Sequence, residues 1–299
     1  MDINLFKPTG VIRKKHLISL QSYSEEEIYE ILHAAAAIEK MLAAGEKLNV
    51  LKNKYVSLLT KRSFARSRIA FETAVTKLGG IPMISTMHGS ELENILKDKL
   101  TVKAIAGYGM SAIVVQTAEM GDAEQIEKNV DLPIINGNSR SGPCEALAAL
   151  YTVWKRLGKL GGLKVAAIGK PENYADSFLY GFAGCGLDIT VICKKEDYPT
   201  EKLVNYCRQY VDISVTDDVE EGIKNADVIF VSDDHTGIKL LESHLGKAKP
   251  QAIILHALPV AEDGNLDLSV TEKPCFLGLE EAHCLPLIEM AAMSLLISK

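Results

Sequence analysis

Four cationic side chains crowd residues 58–74, LLTKRSFARSRIAFETA, where a strand-like run gives way to a helix-like one. They are Lys61, Arg62, Arg66 and Arg68. The first turn of a helix offers unpaired N–H groups and the positive end of the helix dipole, and arginine adds paired donors, so an anion is stabilised there. The segment therefore predicts an anion-binding site. The structural alternative is that Arg68 pairs with Glu72 one turn along the helix while Lys61 and Arg62 face solvent.

Two further polar clusters follow apolar runs in the second half of the chain. Asp233, Asp234 and His235 come after DVIFVS, at the carboxyl end of a predicted parallel strand, where ligands bind in such sheets. Two carboxylates and an imidazole suit a cationic amine, and an ordinary surface loop is the alternative. His256 follows another such run and either belongs to a site or caps the strand end.

The elements that must position these residues alternate between short apolar runs and helix-like segments. This alternation predicts parallel sheets with right-handed crossovers, and hence an α/β fold of two doubly wound parallel-sheet domains joined by interdomain helices. Helices are predicted over 24–45, with Ser24 as N-cap, over 142–157 and over 280–298, and Gly186 is a predicted C-cap glycine. The predicted strands are 55–59, 81–85, 112–116, 133–135, 163–169, 187–193, 212–215, 227–232 and 252–258.

The strand series divides after the helix 142–157, at the turn GKLGG. We predict a first domain over residues 1–150, on which the C-terminal helix 280–299 packs, and a second domain over 151–279.

Composition limits the classes of partner. The net charge of −6 argues against a nucleic-acid or membrane-surface binder, and no apolar run approaches the length that spans a bilayer. Six cysteines without CxxC spacing fit a reducing cytoplasm. GxGxxG, P-loop, HxxxH and GxSxG patterns are all missing from the sequence, so we expect neither a cofactor nor a metal.

Several segments, taken in order, resemble one family, the aspartate and ornithine carbamoyltransferases. SFARSRIAFETA resembles the family's phosphate-binding S-T-R-T-R-x-S-F-E-x-A, and ILHALP resembles its H-C-L-P or H-P-L-P loop. INGNSRSGPCEAL stands in place of I-N-G…H-P-x-Q-x-L, and LKVAAIGKPENYADSFL is similar to the stretch that opens the second domain. The resemblance implies a carbamoyl-phosphate domain, an amino-acid domain, an active site in the cleft between them, and a homotrimer whose sites are shared between subunits.

The sequence departs from the family at the donor site. Phe64 and Ala65 stand for a Ser and a Thr, and Gln116 stands for an Arg that polarises the carbamoyl carbonyl. Gly142 and Glu145 replace the His and Gln of H-P-x-Q. Losing one oxyanion donor typically costs about 100-fold or more in rate, so we expect an altered donor site and poor activity as an ordinary aspartate or ornithine enzyme.

The resemblance assigns site residues position by position. Arg66 and His256 are the catalytic candidates. Asn173 matches an asparagine that holds the second substrate's carboxylate; its structural alternative is the N-cap of a helix over 174–184, and the two roles are compatible. The donor or anion set is Ser63, Phe64, Ala65, Arg66, Ser67, Gln116, Arg140, Gly142, Glu145 and Leu258. The second-substrate set is Asn173, Asp233, Asp234, His235 and Leu285, the last at the position of an arginine in ornithine-type enzymes.

Two functions fit this pattern. The first is a divergent transferase that joins a carbamoyl or similar small acyl-type group, from carbamoyl phosphate or another small anion, to an amine or amino acid. The second is a catalytically silent relative that regulates or assembles with an active enzyme. Arg140 separates them: directed beside Arg66 it favours a rebuilt anion site, and paired with Glu145 or another acid it favours the silent relative.

Overall fold

The structure is a computed structural model of the 299-residue chain, and it describes residues 6–61, 65–117, 121–137, 142–232 and 234–297. The chain divides into two compact units. The N-terminal unit comprises Lys7–Cys144 and Leu285–Lys299, and the C-terminal unit comprises Met1–Phe6 and Glu145–Cys284. The division falls inside two long helices, α6 (Pro143–Leu157) and α12 (Gly278–Ile297). The boundary predicted between 150 and 151 also lies within α6.

The N-terminal unit is built on a four-stranded parallel sheet of order β2-β1-β3-β4, where β1 is Tyr55–Lys61, β2 Ile81–Met87, β3 Met110–Gln116 and β4 Ile134–Asn136. Its helices are α1 (Glu25–Ala43), α2 (Ala65–Lys77), α3 (Gly89–Lys97), α4 (Lys99–Gly107) and α5 (Asp122–Glu127), with a 3-10 turn at Leu20–Ser22. Apolar side chains of the central strands, such as Leu59, Ile113 and Val115, are fully buried among those of α3 to α5. Burial on both faces explains why these strands read as unbroken apolar runs.

Helix α1 begins where the sequence predicts. The Ser24 hydroxyl accepts from the backbone N–H of Glu27 at 3.3 Å, and the Glu27 carboxylate accepts from the backbone N–H of Ser24 at 3.1 Å. This reciprocal capping box satisfies two N–H groups that would otherwise lack partners, and such a cap contributes about 1 kcal/mol.

The C-terminal unit carries a five-stranded parallel sheet of order β7-β6-β5-β8-β9. The strands are β5 (Lys164–Ile168), β6 (Asp188–Ile192), β7 (Ile213–Thr216), β8 (Val228–Val231) and β9 (Ile253–Leu255). The helices are α7 (Pro171–Tyr174), which runs through a π-helical turn at Ala175–Leu179 into α8 (Tyr180–Gly184), then α9 (Glu201–Cys207), α10 (Val219–Gly222) and α11 (Leu268–Thr271), with 3-10 turns at Lys195–Asp197 and Glu242–Lys247. All nine predicted strands are therefore present, and the two-sheet α/β fold is confirmed.

Gly186 ends α8 as predicted. Its φ of 75° lies in the left-handed region, its N–H donates to the Ala183 carbonyl at 2.9 Å, and the N–H of Leu187 donates to the Phe182 carbonyl at 3.0 Å. This pair of bonds is a Schellman motif, which glycine favours because it has no Cβ to clash. The turn delivers the chain directly into β6.

Candidate functional site

The carboxyl ends of β1, β3 and β4 lie side by side in the N-terminal sheet. Helix α2 begins four residues after β1, so Ala65, Arg66 and Ser67 form its first turn at this edge. Ala65 is exposed, Arg66 is half-buried and Ser67 is buried. The predicted anion-binding segment therefore stands where ligands bind in open parallel sheets, with the first turn of a helix carrying a guanidinium.

A buried hydrogen-bond chain joins the ends of β3 and β4 to the first turn of α2 at this edge. The Gln116 side chain, fully buried at the end of β3, donates from Nε2 to the Ser67 hydroxyl at 2.7 Å. The Ser67 hydroxyl donates in turn to the backbone carbonyl of Gly137, just after β4, at 2.9 Å. A Cβ on Gly137 would lie 2.7 Å from Val114 Cγ1 and 2.9 Å from Phe71 Cε2, so only glycine fits. The chain fixes the start of α2 against the sheet.

Two cations of the predicted cluster have structural partners. Arg68 Nε lies 3.1 Å from Glu72 Oε1, which is the pair that the structural alternative predicted. Arg68 also donates to the Thr86 hydroxyl at 3.2 Å. Lys61 is not solvated as that alternative predicted: its Nζ lies 3.2 Å from Glu93 Oε1, and its side chain is only 14% exposed. The prediction was wrong because α3 packs over β1 and supplies the carboxylate. Arg66, half-buried in the first turn of α2, stays a predicted anion ligand.

The structure describes only some of the other residues predicted to line the donor site. Gly142 is buried just before α6, and Glu145 is half-buried in the first turn of that helix. Arg62, Ser63, Phe64, Ser139, Arg140 and Ser141 lie outside the described residues. The role of Arg140 as the discriminator between the two functions stays a prediction.

Asp234, which follows β8, is committed to its own unit. It is 7% exposed, and its carboxylate accepts from the backbone N–H of Lys170 at 2.7 Å, from the Ser232 hydroxyl and from the Asn265 side-chain amide. The structure therefore corrects the view of Asp234 as a ligand for a cationic amine. Three intramolecular donors already occupy the carboxylate, so it organises the loops that follow β5 and β8.

Gly169 permits this arrangement. Its φ is 118°, and a Cβ there would lie 2.0 Å from the Ser232 hydroxyl and 2.8 Å from Asp234 Oδ2. The Asn265 side chain completes the cluster, since its oxygen accepts from the N–H of Thr236 at 3.3 Å. Sequence reasoning missed Gly169 and Asn265. A glycine directly after a strand was the available signal for the first, and nothing local marks the second.

Three other residues were predicted to bind the second substrate: His235, Asp233 and Asn173. His235 is exposed, with Nδ1 3.5 Å from Asp263 Oδ1. Asp233 lies outside the described residues. Asn173 falls within α7, which begins at Pro171, so the prediction that it is the N-cap of a helix over 174–184 was wrong; its side chain is outside the described part.

His256 directly follows β9 and is fully buried. This position is compatible with both a site residue and a strand-end cap, so both roles stay predictions. Leu258 is half-buried, and the Leu258–Pro259 peptide bond is cis. A Cβ on Gly278 would lie 3.0 Å from the His256 carbonyl oxygen, so α12 begins very close to this strand end.

Leu285 does not fit the role of a substrate ligand. It is 2% exposed within α12, where its apolar side chain is packed away from solvent. An aliphatic side chain cannot replace the donors of an arginine, so the second-substrate assignment of Leu285 is corrected to a packing role.

The thiols are equally committed to packing. Cys193 and Cys207 are buried and form no disulfide, and desolvation raises the pKa of Cys193 to about 12 and of Cys207 to about 11. Such groups stay protonated and unreactive at neutral pH. Across the described residues, no cluster of three His, Cys, Asp or Glu side chains has the arrangement of a metal site, and no helix is long and apolar enough to cross a membrane.

Comparison with known proteins accounts for nearly the whole chain. Residues 15–155 match the family model described as the aspartate/ornithine carbamoyltransferase carbamoyl-P binding domain, and residues 161–296 match that of the Asp/Orn binding domain. Ornithine carbamoyltransferase of Methanosarcina acetivorans is 29% identical over 293 residues, covering 90% of this chain and 95% of the relative. The Methanococcus aeolicus enzyme is 30% identical over 281 residues, covering 86% and 90%.

Solved structures agree on the fold. Ornithine carbamoyltransferase from Pyrococcus furiosus superposes with a TM-score of 0.88 at 24% identity, covering 95% of this chain and 97% of that one. Aspartate transcarbamoylase from Trypanosoma cruzi, in complex with carbamoyl phosphate, gives 0.85 at 20% identity, covering 98% of each. Two matched domain models in the family's order, with curated relatives that span the chain, show that this chain belongs to the aspartate/ornithine carbamoyltransferase family.

Proposed function

We propose that this chain is a transferase that moves a carbamoyl group, or a closely similar small acyl-type group, from a phosphorylated donor to the amino group of an amino acid or amine. The observation that carries the proposal is the position of Arg66. It lies in the first turn of α2, at the carboxyl edge of the sheet of a unit that matches a carbamoyl-phosphate-binding domain.

Arg66 and the backbone N–H groups of residues 64–67 bind the phosphate, with Arg140 as a further cation. In the proposed site, Arg66 contributes more of the phosphate binding than the corresponding arginine does in the family pattern. Ser67 directs its only hydroxyl proton to Gly137, and Arg68 is bound to Glu72, so neither is poised to donate to the anion.

His256 and the carbonyl of Leu258 orient the carbamoyl group, and Asn173, Asp233 and His235 bind the second substrate. The amine nitrogen attacks the carbamoyl carbon, the bond from that carbon to the phosphate oxygen breaks, phosphate leaves, and the amine loses a proton. Catalysis consists of positioning two reactants and stabilising the developing negative charge, which requires no cofactor.

We further propose that the chain forms a homotrimer with sites shared between subunits, in the cytoplasm. Strand β2 is an edge strand that leaves Ile81, Met83 and Ile84 44–45% exposed, and Leu100 and Tyr108 are about three-quarters exposed. Apolar side chains on an open sheet edge favour association. Cys193 and Cys207 of the C-terminal unit form no disulfide, which suits a reducing compartment.

The test is a thermal-shift titration with carbamoyl phosphate, with inorganic phosphate as the reference ligand. A ligand at 100 times its Kd stabilises the folded state by about 2.7 kcal/mol, which is several degrees in melting temperature. Arg66→Ala should abolish the shift. Arg208→Ala, which removes an exposed arginine at the C-cap of α9, should leave it unchanged.

Transfer is then assayed with ornithine, aspartate and a panel of other amines, by release of phosphate and formation of the carbamoylated amine. Product from at least one amine, lost in Arg66→Ala, supports the transferase. Binding without turnover on any amine would favour the catalytically silent relative. No shift at millimolar carbamoyl phosphate would overturn the donor assignment.

A further inference from the structure

The hydrogen bonds around Gln116 fix which way its amide faces. The Ser67 hydroxyl has a single proton, and that proton goes to the Gly137 carbonyl, which can only accept. Ser67 must therefore receive a proton from Gln116, so the Gln116 atom 2.7 Å away is the nitrogen. The amide oxygen, Oε1, necessarily faces the other way.

Within the described part of the chain, that oxygen is an acceptor without a donor. Gln116 Oε1 is completely buried, and no residue in the described part of the chain donates a hydrogen bond to it. Buried polar atoms are nearly always paired, so a buried oxygen that accepts no hydrogen bond from the protein indicates a ligand or an ordered water as its donor. Gln116 Cγ lies 2.9 Å from the position of a Cβ on Gly137, so this side chain has little freedom to turn and find another partner.

We propose that Gln116 is a specificity residue of the donor site, and that its Oε1 accepts a hydrogen bond from an N–H group of the bound donor substrate. The inference rests on the proposed function. Gln116 ends β3 beside the first turn of α2, which carries Arg66. A phosphate held there places the group attached to it near Gln116.

The chemistry follows from the direction of the bond. An acceptor at this point is repelled by the carbonyl oxygen of a ligand and is satisfied by a planar NH₂ group. The arginine that the family carries here offers only donors, so its replacement by Gln116 inverts the polarity of this part of the site. The site thus selects a donor substrate with an amide-type nitrogen, such as a carbamoyl group, over one with a methyl group in the same place.

Carbamoyl phosphate and acetyl phosphate differ by NH₂ against CH₃ and make a matched pair of probes. We would measure the Kd of each by calorimetry for the wild type, with inorganic phosphate as a third ligand that reports only the anion site. We expect the wild type to prefer carbamoyl phosphate by about tenfold or more, since a site that bonds an N–H group rejects the analogue without one.

Gln116→Met keeps the side-chain length but removes both the acceptor and the Nε2 donor that holds Ser67. The Kd ratio of the two probes should fall about tenfold. The Kd of inorganic phosphate separates this effect from loosening of the start of α2, which would weaken both probes alike and leave their ratio unchanged. Should the variant fail to fold, the wild-type ratio still decides, because a ratio near one overturns the inference.

The two proposals fail in different ways. If the wild type binds neither acyl phosphate, the proposed function and this inference are both overturned. If it binds both, and Gln116→Met retains the wild-type ratio, only the role of Gln116 is overturned.

Discussion

Replacing Asp234 by asparagine tests whether this residue organises the C-terminal sheet edge or binds substrate. Its Oδ2 accepts from the Lys170 N–H and the Ser232 hydroxyl, and its Oδ1 accepts from Asn265 Nδ2. The Asn265 amide cannot turn to compensate, because its oxygen holds the N–H and hydroxyl of Thr236, at 3.3 and 3.1 Å.

The magnitude follows from counting these bonds. An asparagine keeps the shape of Asp234 but has one oxygen, so its NH₂ group must face at least one of the existing donors. The less costly orientation directs it at Asn265 and loses a single charge-assisted bond, which is worth about 1.5–3 kcal/mol. We therefore expect Asp234→Asn to lower the free energy of unfolding by about 2–3 kcal/mol.

The assay is urea unfolding followed by circular dichroism, with Asp263→Asn as the matched control. The Asp263 side chain is 84% exposed, and its proximity to His235 should be worth little, so this control should change the free energy by less than about 0.5 kcal/mol. Wild-type stability in Asp234→Asn, together with a raised KM for the amine, would refute the reasoning and return Asp234 to the acceptor site.

Three further predictions concern packing, pH and assembly. Gly222→Ala would bring a Cβ within 2.4 Å of Ile192 Cδ1, so it should cost about 1–3 kcal/mol in the free energy of unfolding measured in urea. Burial lowers the pKa of His16, whose Nδ1 accepts from the Ile134 N–H at 3.2 Å. The unfolded chain therefore takes up this proton first, and stability should fall as the pH drops below the ordinary histidine pKa of 6.5, less steeply in His16→Gln. Met83→Lys, on the exposed edge of β2, should shift the protein toward monomer in sedimentation velocity.

Each of these has a result that contradicts it. An unchanged urea midpoint for Gly222→Ala would mean that the Ile192 side chain moves freely away from the added methyl group. Parallel pH profiles for wild type and His16→Gln would remove His16 from the acid response. Assembly would be assigned to another surface if Met83→Lys sediments like the wild type while Tyr198→Lys, a control at a similarly exposed side chain on the other unit, dissociates.

Local features of the sequence were enough to predict the elements. Strands buried on both faces are continuous apolar runs, so all nine were found, and Ser24 and Gly186 mark helix ends because their caps use atoms only a few residues away. Arg66 could be placed at the start of α2 because the change from a strand pattern to a helix pattern is also local in the sequence. The sequence therefore determined the two-sheet α/β fold and the position of its principal candidate anion ligand.

Long-range partners could not be predicted in this way. Gln116 and Ser67 are 49 positions apart, and Ser67 and Gly137 are 70 apart. Lys61 meets Glu93, and Asp234 meets Lys170 and Asn265, only because particular strands and helices become neighbours. Whether a carboxylate is a ligand or an internal acceptor, and whether an amide presents its oxygen or its nitrogen, depends on which donors the fold brings within 3 Å, and the tertiary structure alone decided this.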